Sequence, residues 1–207
     1  MRSAAEAIER LRDPAPPTGI PVSSHYVVEE DGTVWRLVPE DRRAWHAGIS
    51  YWRGHRTLNG RSIGIEIVNP GHEFGYRPFP VIQLAAVCDL CLDILDRHPI
   101  PQRNVVGHSD VAPNRKQDPG ELFPWQEFAA NGVGLWPSDP GGGGSAAEPP
   151  LLLRAIGYEV PEDADPELIR IALVAFQRHW RQDRVDGEAD GGTCAQLAAV
   201  AAACARR

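Results

Sequence analysis

SIGIEIVN, residues 62–69, sets one carboxylate, Glu66, inside a run of apolar and β-branched residues. Short apolar runs bounded by Gly, Asn and Pro read as buried strands. A lone ionisable group is costly to bury unpaired. Glu66 therefore either faces outward from its strand or is aimed into a cleft with its proton affinity tuned for transfer. Upstream, HYVVEEDGTVWRLVP (25–39) gives two β-rich runs around Asp31-Gly32, a dipeptide suited to a hairpin turn with positive φ. Downstream come a helix from about Pro80 to Arg97, a short strand in NVVGH (104–108), and a closing helix in PWQEFAANGVGLWP (124–137) stopped by Gly132. Strands and helices alternate, and one helix separates IGIEIV from NVVGH. The expectation is an α/β (α+β) fold with a mixed central β-sheet flanked by helices and the chemistry at strand ends.

Proline and glycine mark the seams. DPAPPTGIP (13–21) separates a first amphipathic helix at residues 3–12 from the first strand, and SDPGGGGSAAEPP (138–150) reads as a flexible linker. The expected organisation is a larger domain at 1–137, the linker at 138–150, and a small C-terminal three-helix domain at 151–207. In the latter, LLLRAIGY ends at a helix-stopping Gly157, PELIRIALVAFQRHW starts at Pro166, and TCAQLAAVAAACA follows Thr193 as N-cap. Leu168, Ile171, Leu173, Ala175 and Phe176 read as core, because so small a bundle needs every apolar face. Asp186, Gly187 and Asp190 read as a turn before the third helix rather than a calcium loop, since the remaining oxygen ligands are lacking.

The 207 residues carry 43% hydrophobic and 24% charged side chains, the balance of an ordinary globular protein. A formal net charge of -7, with no basic stripe interleaved with aromatics, repels phosphate backbones and argues against nucleic acid as a partner. No apolar run is long enough for a transmembrane segment. Cys88 and Cys91 form a C-x-x-C within a helix; without a second such pair they read as small apolar side chains on a packed face.

The stretch richest in chemistry is GHSDVAPNRKQDPGELFPW (107–125). His108 follows an apolar run, Asp118 lies ten residues on, and Lys116 stands between them. Pro113, Pro119 and Pro124 restrict this loop, which suits a site that must hold two ligands without regular structure. Imidazole and carboxylate both suit zinc, although His-x9-Asp alone also fits two solvated loop residues. Lys116 taken alone reads as an exposed loop cation, and its functional alternative is a charge that stabilises an oxyanion.

AWHAG at 44–48, N-x-x-SIGIE ending at Glu66, and GHSDVAP-x-RK-x-DPGELFPW at 107–125 resemble the zinc-dependent N-acetylmuramoyl-L-alanine amidases. The likeness runs over roughly residues 20–137. It implies a mixed sheet flanked by helices and one catalytic zinc with His108 and Asp118 as two of three protein ligands. It further implies Glu66 as general base and acid, and Lys116 as the group stabilising the tetrahedral intermediate. The substrate would be peptidoglycan or a muropeptide of the bacterial wall. His46 and Asn59 line the cleft in the family pattern, and loop-stabilising contacts explain them equally; His46 is the candidate substrate contact. The C-terminal stretch resembles a three-helix peptidoglycan-binding domain, and a monomer is expected.

The family's first zinc ligand is a histidine on an opening strand upstream of the helix at 3–12, and no matching position stands in this sequence. The expectation is that Met1 is an internal methionine and that the natural chain starts earlier, which a stop codon immediately upstream of Met1 would overturn. Substitution by His25 or His46 is the lesser option. The competing function is a peptidoglycan-recognition module that binds wall fragments through an incomplete zinc site without cutting. MRSAAEAIERLRD shows no export signal, which leaves the envelope and the cytoplasm both open.

Overall fold

The computed structural model describes residues 9, 11, 22–138 and 147–206. The expected first helix at 3–12, apart from positions 9 and 11, the seam at 13–21 and the glycine-rich part of the linker lie outside the described residues. The chain divides into two compact units, Met1–Ser50 with Thr57–Arg97, and Tyr51–Arg56 with His98–Arg207.

The first unit is organised by a three-stranded mixed sheet in the order β2-β1-β5. Strand β1 (Tyr26–Val28) is buried at every residue, as a central strand covered on both faces must be. It pairs antiparallel with the exposed edge strand β2 (Val34–Arg36). On its other side it runs parallel to β5 (Ile65–Ile67), with Val27 opposite Glu66. The hairpin between β1 and β2 turns where expected: Gly32 has φ 87°, and its N–H donates to Glu29 O at 3.0 Å.

Helix α1 (Gly71–Phe74) is a single turn, and α2 (Val81–Arg97) follows the predicted range closely. On α2, Gln83, Val87 and Ile94 form the buried stripe at helical spacing. Gln83 is the unexpected member. Its amide donates to Val28 O at 3.1 Å and Val68 O at 2.9 Å, tying the helix to the C-terminal ends of β1 and β5. Arg97, at the other end of α2, grips Glu40, which also accepts from the Tyr26 hydroxyl. Cys91, half-buried on the same helix, has its thiol pushed up to about 12 by burial, so it stays protonated and inert.

In the second unit, β3 (Tyr51–Trp52) and β4 (His55–Arg56) form a tight hairpin. Arg53 (φ 48°) and Gly54 (φ 84°) both lie in the left-handed region, the signature of a type I′ turn. Five helices follow: α3 (His108–Val111), α4 (Trp125–Ala130), α5 (Pro149–Ile156), α6 (Pro166–Trp180) and α7 (Gly191–Ala205). Helix α4 ends before Gly132, whose φ is 89°. The expected strand in NVVGH does not form. Residues 102–104 make a tight turn that takes the Val105 N–H onto Gln102 O, and Gly107 leads directly into α3. Too little chain is left for a ladder.

Helices α5, α6 and α7 enclose Leu153, Ile156, Ala175, Phe176, Leu197 and Val200, all at 0% exposure. Leu173 is buried with them, whereas Leu168, expected in the core, is 44% exposed on the first turn of α6. Thr193 is not the N-cap of α7. The helix begins at Gly191, and Asp190 caps it by accepting the Thr193 N–H at 2.8 Å. A carboxylate complements the positive end of a helix better than a hydroxyl, and Arg181 and Arg184 hold it there. The turn before α7 is held by Gln177: its oxygen accepts from the N–H groups of Asp186 and Gly187, and its amide donates to Asp186, Glu188 and Thr193.

Gln83→Leu keeps the volume of the α2 stripe but strips Val68 O of its Gln83 donor. It is expected to lower unfolding free energy by roughly 1–3 kcal/mol, read as a shift in the urea midpoint at unchanged slope.

Candidate active site

In the first unit, Glu66 is the middle residue of β5 and is half-buried. His46 lies in the loop before β3. Its N–H and that of Ala47 both donate to Asn59 Oδ1, at 3.0 and 2.7 Å. The Asn59 side chain thus staples the AWHAG loop, the loop-stabilising role open to it from sequence. The His46 ring stands edge-on to His25, with centroids 5.5 Å apart. It also presses on the backbone of SIGIE, where a Cβ added at Gly64 would fall 2.4 Å from His46 Cγ. Glycine is required there by close approach.

His25 is committed to the fold. Gly64 N–H donates to its Nδ1 at 3.0 Å, which leaves Nε2 to carry the proton and donate to Arg42 O at 3.0 Å. With both ring nitrogens engaged and the ring buried, His25 is unsuited to serve as a substitute ligand.

In the second unit, α3 and the loop after it bring His108, Lys116 and Asp118 together. His108 is the first residue of α3, and its Nδ1 lies 3.0 Å from Asp118 Oδ2. The backbone reinforces the pair: the Ser109 N–H donates to Asp118 O at 2.9 Å. Desolvation works against an ionised Asp118, but the hydrogen bond from His108, the imidazole's charge and the Lys116 ammonium prevail and hold the carboxyl below its usual range. With 57% of the side chain open to solvent, the hydrogen bond is the decisive cause. Among the described residues no three His, Cys, Asp or Glu side chains gather as a metal-holding group. His108 and Asp118 form a pair.

Sequence reasoning did not single out Asp110, Tyr158 or His179. Asp110 stands two residues after His108 with its side chain fully buried, and it receives hydrogen bonds from Tyr158 and His179. The HSD triplet shows an acid beside the histidine, but nothing in the local sequence shows that it is sealed from water by residues 48 and 69 positions away.

The N-acetylmuramoyl-L-alanine amidase family model matches residues 1–121, and the chain belongs to this family. It is 42% identical over 195 residues to N-acetylmuramoyl-L-alanine amidase AmiD of Escherichia coli, a match that spans 83% of this chain and 71% of AmiD. The solved complex of AmiD from E. coli with the substrate anhydro-N-acetylmuramic acid-L-Ala-D-gamma-Glu-L-Lys has a TM-score of 0.83 at 38% identity. That match covers 96% of this chain and 84% of AmiD. AmpDh3 from Pseudomonas aeruginosa in complex with anhydromuramic pentapeptide gives a TM-score of 0.84 at 34% identity, covering 95% of this chain and 86% of AmpDh3.

Gly107 lies where the loop closes on itself: an added Cβ would stand 2.8 Å from Pro119 Cδ. Gly107→Ala must displace Pro119, and Asp118 with it. The expected outcome is loss of the His108 to Asp118 hydrogen bond, read from the imidazole nitrogen shifts in long-range proton–nitrogen NMR spectra. An unchanged His108 spectrum would contradict the packing argument.

Proposed function

We propose that this chain hydrolyses the amide bond between the lactyl group of N-acetylmuramic acid and L-alanine in peptidoglycan or muropeptides, with one zinc ion as cofactor. The observation that carries this reading is the match to AmiD in complex with an anhydromuramoyl peptide, which extends over 96% of the chain. His108 and Asp118 supply two of the ligands. Their chemistry fits: an imidazole nitrogen and a carboxylate oxygen, both donors that suit zinc, face each other at 3.0 Å. When bound, zinc supplies Lewis acidity, polarising the scissile carbonyl and lowering the pKa of water.

The remaining work falls to side chains. Glu66, by its place in the SIGIE motif, takes a proton from the attacking water and delivers it to the departing alanine nitrogen. Without that proton the amine is a poor leaving group. Lys116 offsets the negative charge that gathers on the lactyl oxygen, and its standing effect on Asp118 is that of a nearby cation. His46 is assigned to substrate contact. Helices α5, α6 and α7 are assigned as a peptidoglycan-binding element, and the protein acts as a monomer.

Mass spectrometry of an anhydromuramoyl tripeptide incubated with the zinc-loaded full chain tests the proposal. Peptide release is expected, with loss on chelation and recovery on adding zinc. Glu66→Ala is expected to lower kcat by about 10²- to 10⁴-fold while zinc content stays the same. Binding of the tripeptide and of zinc without release would favour the non-cleaving recognition module, and an unaffected Glu66→Ala variant would remove Glu66 from its role.

A further inference from the structure

Asp110 is a carboxylate at 0% side-chain exposure, a state that is strongly unfavourable unless donors surround it. Three do. The Gly107 N–H donates to Oδ2 at 2.7 Å, the Tyr158 hydroxyl to Oδ1 at 2.6 Å, and His179 Nδ1 lies 2.7 Å from Oδ2. An ionised carboxylate only accepts, so the His179 proton sits on Nδ1. The imidazole is clamped between Trp125, with centroids 3.9 Å apart, and Trp180 at 3.6 Å and nearly parallel. Burial and the Asp110 charge hold the Tyr158 phenol well above its ordinary pKa, so it remains a donor.

Helix α3, which carries His108, is only four residues long. A single helical turn fixes several dihedrals for one hydrogen bond and is unstable by itself. Its order must come from outside. Asp110 closes the turn by accepting from Gly107 N–H, on the N-terminal side of His108, and is itself pinned by the two C-terminal donors. His108 is thus gripped from both sides along the chain, while Ser109 N–H holds the backbone of Asp118.

We infer that Tyr158 and His179, acting through Asp110, are positioning residues that aim the His108 imidazole at Asp118, making the C-terminal helices part of the active-site framework as well as any wall-binding surface. The consequence for zinc rests on the function proposed above; the aim of the imidazole does not. Groups that orient a metal-binding histidine through its surroundings typically change affinity by 10- to 100-fold.

Two readouts on the full chain separate the two claims. The first is the His108 nitrogen NMR signals of zinc-free protein, and the second is zinc affinity by chelator competition. Tyr158→Phe retains the ring that packs edge-on against Trp52 and removes only the donor. His179→Leu removes the other donor, and His179→Asn restores an amide N–H close to the position of Nδ1. Tyr158→Phe and His179→Leu are each expected to split or shift the His108 signals and to weaken zinc binding by about tenfold, with partial recovery in His179→Asn. Val200→Ala, a cavity in the same bundle that leaves all three donors to Asp110 in place, provides the control and should change neither readout. Unaltered His108 signals in folded Tyr158→Phe and His179→Leu overturn the inference, as does an equal response in Val200→Ala. If the wild-type chain binds no zinc while its His108 signals still respond, the positioning role stands and the zinc reading fails.

Discussion

A carboxylate sealed from water dictates what must surround it, and in the second unit that carboxylate is Asp110. Its donors come from Gly107 just before α3, from Tyr158 just after α5 and from His179 near the end of α6. None of these segments satisfies it alone. The requirement links the chain: residues of the C-terminal segment and the turn that carries His108 meet at one buried carboxylate. The stacked rings of Trp125, His179 and Trp180 add the apolar cover that excludes water from this ion network. The β3–β4 hairpin extends the same assembly, because the Arg53 guanidinium donates to Ile156 O at 2.6 Å and Trp52 packs on Tyr158. Gly157 is the hinge of that contact: an added Cβ would meet Arg53 Cγ at 2.6 Å.

What could be read from sequence was what periodicity and local turn chemistry determine. The β1–β2 hairpin, the long α2 helix and the three C-terminal helices each carry their signal within a dozen or so residues, as Asp31-Gly32, the α2 apolar stripe and Pro166 show. The errors came where a tertiary partner decides. NVVGH has the composition of a strand, but the turn at 102–104 and the start of α3 take up its two ends. Leu168 has the residue type of a core position but sits on an uncovered first turn. Thr193 lost the cap position to Asp190, whose claim depends on two arginines elsewhere in the chain. The type I′ turn at Arg53-Gly54 was hidden because arginine rarely adopts positive φ.

The candidate site divides along the same line. The motif residues His108, Lys116 and Asp118 stand in one stretch of sequence, and the structure brings His108 and Asp118 to hydrogen-bonding distance. Their support was not legible, since a buried glutamine or aspartate looks in sequence like any surface polar residue. Gln83, Gln177 and Asp110 all belong to this class. Gln83 and Asp110 join segments distant in sequence, Gln177 holds the turn that follows its own helix, and each is buried because its hydrogen bonds replace those it would make with water.

The AWHAG and SIGIE motifs illustrate why a motif residue and a reacting residue are different things. His25 accepts from Gly64 N–H, Asn59 accepts from His46 and Ala47, and Gly64 leaves room for the His46 ring. His25, Asn59 and Gly64 thereby act on the course of the backbone into β5, the strand that carries Glu66. The proton transfer proposed for Glu66 needs a side chain with a fixed direction, and a strand held at its entry by His25 and at its exit by Gln83 supplies one. The motif is therefore dense in residues that work on the backbone, and under the proposed function Glu66 is the side chain that backbone presents.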